Sequence, residues 1–144
     1  MATNKSFKDI FESQGRKPEK YEERPIVCVQ GLGFVGSAMA VATSIAKSDS
    51  SELNFNVIGI DLDTKLGNER IDAINKGKFP FNTNDEFLKK SLEDAYEQHN
   101  LIATSDESAF SLGDVIIIDI HLDIDFYDDR PILDFSTLEI AIES

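Results

Sequence analysis

The sequence predicts a single-domain α/β fold, a doubly wound parallel sheet covered by helices on both faces. Two observations predict it. Short apolar, β-branched runs alternate along the chain with segments whose apolar residues recur at helical spacing. A glycine cluster at residues 31–36 also lies directly between the first such run and the first helical segment. Alternation of this kind is typical of parallel strands joined by right-handed helical crossovers.

Four strands are expected to form the sheet. They fall within residues 25–30 (PIVCVQ), 55–61 (FNVIGID), 101–104 (LIAT) and 114–120 (DVIIIDI). The last is a continuous apolar run, which predicts a strand buried on both faces.

The segments between and after the strands carry helix signals. Helices are predicted over residues 35–46, 69–75 and 85–98, briefly after residue 104, and from residue 134 onward. Gly77, with Pro80 beyond it, is placed to end the second helix. Thr83 with Glu86, and Thr104 with Glu107, predict capping boxes at the starts of two others.

Residues 1–24 are predicted to be a polar N-terminal extension, preceding a domain over residues 25–144. Phe7, Ile10 and Phe11 recur at i, i+3 and i+4, which is enough for one apolar stripe on a short helix. We expect a flexible extension; the alternative is a helix docked on the domain or on a second subunit.

The composition narrows the class of protein. The chain has 144 residues, 41% of them hydrophobic, and a single cysteine, so an intramolecular disulfide is excluded. No apolar run approaches the roughly 18 residues of a membrane span, and no signal-peptide core is present, which favours the cytoplasm. With 27 acidic against 14 basic residues, the surface would repel nucleic acid.

The glycine cluster fits the pattern G-x-G-x-x-G. Gly31 would make the tight turn off the strand, Gly33 would let a pyrophosphate approach the backbone, and Gly36 would let helix and strand pack closely. The helix that follows directs its unpaired N–H groups and positive dipole end at that phosphate. The pattern therefore predicts a dinucleotide site.

Asp61 ends the second predicted strand, 25 residues after Gly36, and the polar loop 48–54 accounts for the long spacing. An acidic side chain there accepts hydrogen bonds from the adenosine ribose and repels the additional phosphate of NADP. The predicted cofactor is NAD; the alternative is that Asp61 is a solvated strand end.

Several motifs arrive in an order similar to one known family. The stretches GLGFVG, VIGIDLD, ERIDAINKGKFPF and NLIATSDESAFSLGDVIIIDI resemble the N-terminal, Rossmann-like NAD-binding domain of the UDP-glucose/GDP-mannose dehydrogenases. The resemblance covers residues 25–144. Members of this family serve polysaccharide biosynthesis, oxidising the primary alcohol of a nucleotide-linked sugar to a carboxylate in two NAD-dependent steps, through a thiohemiacetal on a cysteine.

The resemblance implies a set of cofactor contacts. The pyrophosphate would lie on the segment Gly31, Leu32, Gly33, Phe34, Val35 and Gly36. Asp61 would bind the ribose, and Arg70 would contact the adenosine end. The nucleotide sugar would bind to a domain outside this chain, and a homodimer is possible.

This chain departs from the family pattern in three places. The stretch from Asp61 to Asn75 is about four residues longer than usual, so Lys65 is an alternative to Arg70. The fourth strand normally ends in valine-proline-threonine-proline, where this chain has residues 120–123 (IHLD). The family's catalytic cysteine and lysine lie beyond residue 144, so we assign no catalytic residue and expect this chain alone to be inactive.

Other reactive residues are given weaker roles. Cys28 lies mid-strand and is expected to be a core residue. His121 follows the fourth strand without an evident acidic partner and is a lesser candidate near the nicotinamide, while His99 is expected to be a capping or surface residue. The carboxylates of residues 123–129 indicate a solvated acidic loop and not a metal site. Asp119 interrupts an apolar strand, and the sequence does not explain it.

Two other functions remain open from the residues alone. One is another NAD-dependent enzyme with the same opening, of the 3-hydroxyacid or 6-phosphogluconate type. The other is a stand-alone dinucleotide-binding module.

Overall fold

The computed structural model describes residues 5–17 and 22–143. Its centre is a four-stranded parallel sheet in the order β3-β2-β1-β4. The strands are β1 (Ile26–Gln30), β2 (Asn56–Ile60), β3 (Leu101–Thr104) and β4 (Val115–Ile118). The predicted parallel sheet is confirmed, and each strand falls within its predicted range.

Helices precede, connect and follow these strands. They are α1 (Phe7–Ser13), α2 (Phe34–Ser44), α3 (Lys65–Asn75), α4 (Glu86–Glu97), a 3-10 helix (Glu107–Leu112) and α5 (Ser136–Glu143). In the described part of the chain, no helix is long and apolar enough to cross a membrane.

The first face of the sheet is covered by α2, α3 and α4. Alternate strand residues such as Val29 and Val57 pack there against Val41 of α2, Ile74 of α3 and Leu92 of α4, all at most 2% exposed. Because successive strand side chains point to opposite faces, the neighbouring residues form a second core beneath the sheet.

That second core is covered by α1 and the 3-10 helix. Phe7, Ile10 and Phe11 of α1 are buried together with Cys28 of β1 and Ile58 of β2. The expectation of a flexible extension is therefore wrong for Phe7–Ser13, and the docked-helix alternative is confirmed. Three large apolar side chains on one stripe bury enough surface to hold a two-turn helix. The rest of the predicted extension, residues 1–24, lies partly outside the described residues. The predicted boundary between this extension and the domain of residues 25–144 stays a prediction.

Two predicted helix starts are displaced. The N-caps are Asp85 and Asp106, whose carboxylates accept hydrogen bonds from the N–H groups of Leu88 and Ser108. Thr83 and Thr104 instead accept from the N–H groups of those aspartates. Both predicted capping boxes are wrong because an aspartate two residues later competes for the same role.

The end of α3 matches its prediction. Gly77 has φ +70°, and its N–H donates to the carbonyl of Ile74 while the N–H of Lys78 donates to that of Ala73. This pair of bonds is the Schellman motif, which requires a left-handed residue at Gly77.

The prediction that β4 is buried on both faces is wrong. Val115 is 52% and Ile116 48% exposed, whereas Val29 on the neighbouring β1 is fully buried. The reason is position, since β4 is the edge strand and pairs only with β1 among the described strands.

The predicted acidic loop contains a β-hairpin. Strands β5 (Ile124–Tyr127) and β6 (Arg130–Leu133) pair antiparallel, and both turn residues, Asp128 and Asp129, have positive φ. Two such residues between strands form the kind of turn that matches the natural strand twist. The carboxylates are exposed, as expected of this segment.

Candidate functional site

The glycine cluster forms a tight turn at the carboxyl end of β1. The N–H of Gly31 donates to the carbonyl of Ile60 at 2.8 Å, and Gly31 has φ +90°. A Cβ at Gly31 would overlap the carbonyl oxygen of Asp119, and one at Gly36 would overlap the carbonyl oxygen of Gly31. Both positions therefore require glycine, the first for its conformation and the second for close helix packing.

Gly33 differs from its two neighbours. Its φ of −61° is ordinary for any residue, and a Cβ there would have no atom within 4 Å. Glycine is therefore not required by the fold at this position. The backbone is instead left open to a group approaching from outside the chain.

The first turn of α2 begins at this open position without a side-chain cap. Gly33 is the N-cap and makes no side-chain hydrogen bond, whereas the other three α-helices with a described N-cap begin on Ser6, Thr64 and Asp85. The first-turn N–H groups of α2 therefore lack a side-chain acceptor. Together with the helix dipole, these donors favour an anion.

Asp61 and Arg70 meet beside the turn. One carboxylate oxygen of Asp61 accepts from the N–H of Leu32 at 3.2 Å and from Nη1 of Arg70 at 3.3 Å, and the other accepts from the N–H of Leu62 at 2.8 Å. A carboxylate offers about four acceptor positions, so Oδ1 can still accept from a hydroxyl group. Lys65, the alternative to Arg70, is the exposed first residue of α3.

The remaining predicted residues of the turn divide by burial. Leu32 is fully buried, and its side chain lies so close to Gly59 of β2 that a Cβ there would approach it to 2.8 Å. Leu32 can therefore contribute only backbone to a site above the turn. Phe34 and Val35 are 46% and 59% exposed at the start of α2.

The sequence reasoning missed an aromatic cluster beside the site. The rings of Phe34, Phe79 and Phe81 lie with centroids 5.5 to 6.1 Å apart, and the guanidinium of Arg70 lies 5.3 Å from the centre of the Phe81 ring. The available signal was the pair of phenylalanines flanking Pro80. The cluster orients Arg70, whose buried Nε has no hydrogen-bond partner within the described residues.

The weaker candidates lie elsewhere. Cys28 is buried in β1, and burial, with a smaller contribution from Asp114, raises the pKa of its thiol to about 11. His121 is exposed and does have an acidic partner, since its Nε2 lies 3.2 Å from a carboxylate oxygen of Asp123.

His99 follows α4, where its Nδ1 lies 3.0 Å from the Arg16 guanidinium. Burial and the charge of Arg16 lower the pKa of His99. Across residues 5–17 and 22–143, no three His, Cys, Asp or Glu side chains form a group that could hold a metal ion.

These features fit a dinucleotide. An open backbone and an uncapped helix suit a pyrophosphate, and a carboxylate with acceptor capacity at the end of the adjacent strand suits a ribose. The partly exposed guanidinium of Arg70, held between Asp61 and the Phe81 ring, adds N–H donors beside that carboxylate.

Solved structures of sugar-nucleotide dehydrogenases have a similar fold. The NDP-N-acetyl-D-galactosaminuronic acid dehydrogenase of Methanosarcina mazei Go1 matches 94% of this chain at 22% identity, with a TM-score of 0.68 over 26% of its own length. The GDP-mannose dehydrogenase of Pseudomonas aeruginosa matches 81% of this chain at 26% identity with a TM-score of 0.60, and the match covers 23% of the length of that enzyme. A UDP-glucose dehydrogenase from Pyrobaculum islandicum matches 83% at 21% identity, with a TM-score of 0.61 over 24% of its length.

This chain therefore spans about a quarter of the length of these structures. No curated protein sequence matches it significantly. The model of the NAD binding domain of the UDP-glucose/GDP-mannose dehydrogenase family matches residues 26–132, which is most of the chain. The parallel sheet, the glycine turn and this match agree with one another. The chain belongs to the UDP-glucose/GDP-mannose dehydrogenase family and carries its NAD binding domain.

Proposed function

We propose that this chain is the cofactor-binding part of a nucleotide-sugar 6-dehydrogenase, which oxidises the primary alcohol of a UDP- or GDP-linked sugar to the uronate. The observation that carries the proposal is the open backbone at Gly33, directly before the uncapped first turn of α2. The family match favours this function over a 3-hydroxyacid or 6-phosphogluconate type dehydrogenase. A stand-alone binding module is the remaining alternative.

In this proposal the residues from Gly31 to Gly36 hold the pyrophosphate, mainly through backbone N–H groups. Asp61 accepts a hydrogen bond from the adenosine ribose, and Arg70 contacts the adenosine end beside Phe81. When bound, NAD supplies the oxidant by accepting hydride from the sugar. The chain's own residues bind and orient it, and the nucleotide sugar would be held by a further domain. Dimerisation and a cytoplasmic location remain predictions.

The charge of Asp61 makes NADH the preferred ligand. An NADP phosphate on the ribose would meet this carboxylate, and the opposing attraction of Arg70 is reduced because Arg70 is already paired with Asp61. We expect NADH to bind at least about tenfold more tightly than NADPH in calorimetry, corresponding to about 1.4 kcal/mol. Asp61→Ser should bring the affinities for NADH and NADPH closer together, because the repelling carboxylate is removed.

Asp63→Ser is the matched control for Asp61→Ser. Asp63 is exposed two residues further along the same loop, and its carboxylate accepts from the amide of Asn68. The control should keep the preference for NADH. Equal affinities of the parent chain for NADH and NADPH would contradict the proposal that Asp61 binds the ribose.

The isolated 144 residues should bind cofactor without turnover. Their thiol, Cys28, is buried in β1 with a raised pKa, so it cannot supply a thiolate to an aldehyde. We expect no NADH absorbance from UDP-glucose, UDP-N-acetylmannosamine or GDP-mannose with NAD. Turnover that survives Cys28→Ser would contradict the proposal that catalysis needs residues outside this chain.

A further inference from the structure

Asp119 places a carboxylate against the glycine turn. It directly follows β4, and its N–H donates to the carbonyl of Gln30 in β1 at 2.9 Å. Its Oδ2 lies 3.0 Å from the position that a Cβ on Gly36 would take. Gly36 belongs to the first turn of α2, so this carboxylate lies beside the uncapped helix start.

The two carboxylates near the turn differ in whether a positively charged side chain is paired with them. Asp61 is paired with Arg70 and accepts from two backbone N–H groups. Asp119 has no cationic side chain within ion-pair distance among the residues the structure describes. The positive potential nearest to this carboxylate is that of the first turn of α2, to which Gly36 belongs.

A bound dinucleotide would draw on the same positive potential. Its pyrophosphate is doubly negative, and like charges within several ångströms repel by an amount that solvent and salt reduce. An anion already beside the first turn of α2 lowers the attraction that remains for a second. Resting on the proposed function, we propose that Asp119 weakens the binding of NAD and NADH and so sets the affinity of this site.

Replacing the charge alone tests the inference. Asp119→Asn keeps the shape of the side chain, so we expect it to bind NADH about three- to tenfold more tightly than the parent in calorimetry at low salt. The gain should shrink in 0.5 M salt because screening weakens the repulsion in the parent. Circular dichroism checks that both proteins are folded.

Asp49→Asn is the matched control. Asp49 is exposed in the loop between α2 and β2, which leads into the amino end of β2, whereas the glycine turn lies at the carboxyl end of β1. Its replacement changes the net charge equally. It should bind NADH as the parent does. A comparable gain in Asp49→Asn would assign the effect to overall charge and overturn the role of Asp119.

The other outcomes separate the inference from the function on which it rests. If the parent binds NADH and Asp119→Asn binds equally, only the inference is overturned. Weaker binding by Asp119→Asn also overturns it, and would instead make the carboxylate an acceptor for the dinucleotide. If neither protein binds NADH, the proposed function fails and the inference fails with it.

Discussion

Gly33→Val is expected to abolish NADH binding while leaving the fold intact. The position has an ordinary φ of −61° and open space around the place where a Cβ would lie, so the fold itself has room for the side chain. That open space is where the pyrophosphate is proposed to lie, and a branched side chain would exclude it. Calorimetry should detect no NADH binding, with an unchanged circular dichroism spectrum.

Two further variants make this result specific. Gly36→Val should lose the fold itself, because its Cβ would overlap the carbonyl oxygen of Gly31. Ala42→Val, on an exposed position near the end of α2, adds the same side chain away from the turn and should bind normally. If folded Gly33→Val binds NADH as the parent does, the phosphate is not held at this turn.

The first half of the fold could be predicted because its signals are local. A β-branched run, a glycine turn and apolar residues at helical spacing lie within residues 25–46 and produce β1 and α2 in that order. Helix starts were less accurate. Threonine and aspartate compete for the same cap within two residues, and only backbone geometry decides between them.

The exposure of β4 could not be predicted, because it depends on what lies next to the strand. An apolar run such as VIII is equally suited to the middle of a sheet and to an edge that other residues cover. The β5–β6 hairpin was not predicted for another reason. Its turn residues are Asp128 and Asp129, and a cluster of aspartates is as typical of a solvated loop as of a tight turn.

The candidate site shows the same division. The roles of Gly31 and Gly36 follow from a local motif and agree with the structure. The choice between Lys65 and Arg70 depended on where α3 begins and which of its faces is turned to Asp61. Five residues along a helix rotate a side chain by about 140° from the starting face, so Arg70 faces Asp61 whereas Lys65 is exposed. The position of the Asp119 carboxylate beside Gly36 depends on the pairing of β1 with β4, which no local pattern specifies.

The second core depends on α1, and Phe11 is its central side chain. Phe11 is fully buried, its ring centroid is 5.0 Å from that of Phe7, and the Arg16 guanidinium lies 4.8 Å from the ring centre. Arg16 also donates to the carbonyl of Tyr96 at 2.9 Å, which ties the end of this segment to α4. Removal of the ring would leave a cavity beneath the sheet.

Phe11→Ala is therefore expected to lower the free energy of unfolding by about 3–5 kcal/mol, the usual cost of deleting a buried phenylalanine. That is a large part of the 5–15 kcal/mol typical of a domain, and urea unfolding should show a much lower midpoint. Lys8→Ala is the control on the exposed face of α1, where it removes only a 3.8 Å ion pair with Glu12, and should cost less than about 1 kcal/mol. Under conditions in which both variants are folded, each should bind NADH with the affinity of the parent, because α1 and the glycine turn pack on different cores. A midpoint for Phe11→Ala equal to that of Lys8→Ala would show that α1 is not docked on the domain in solution.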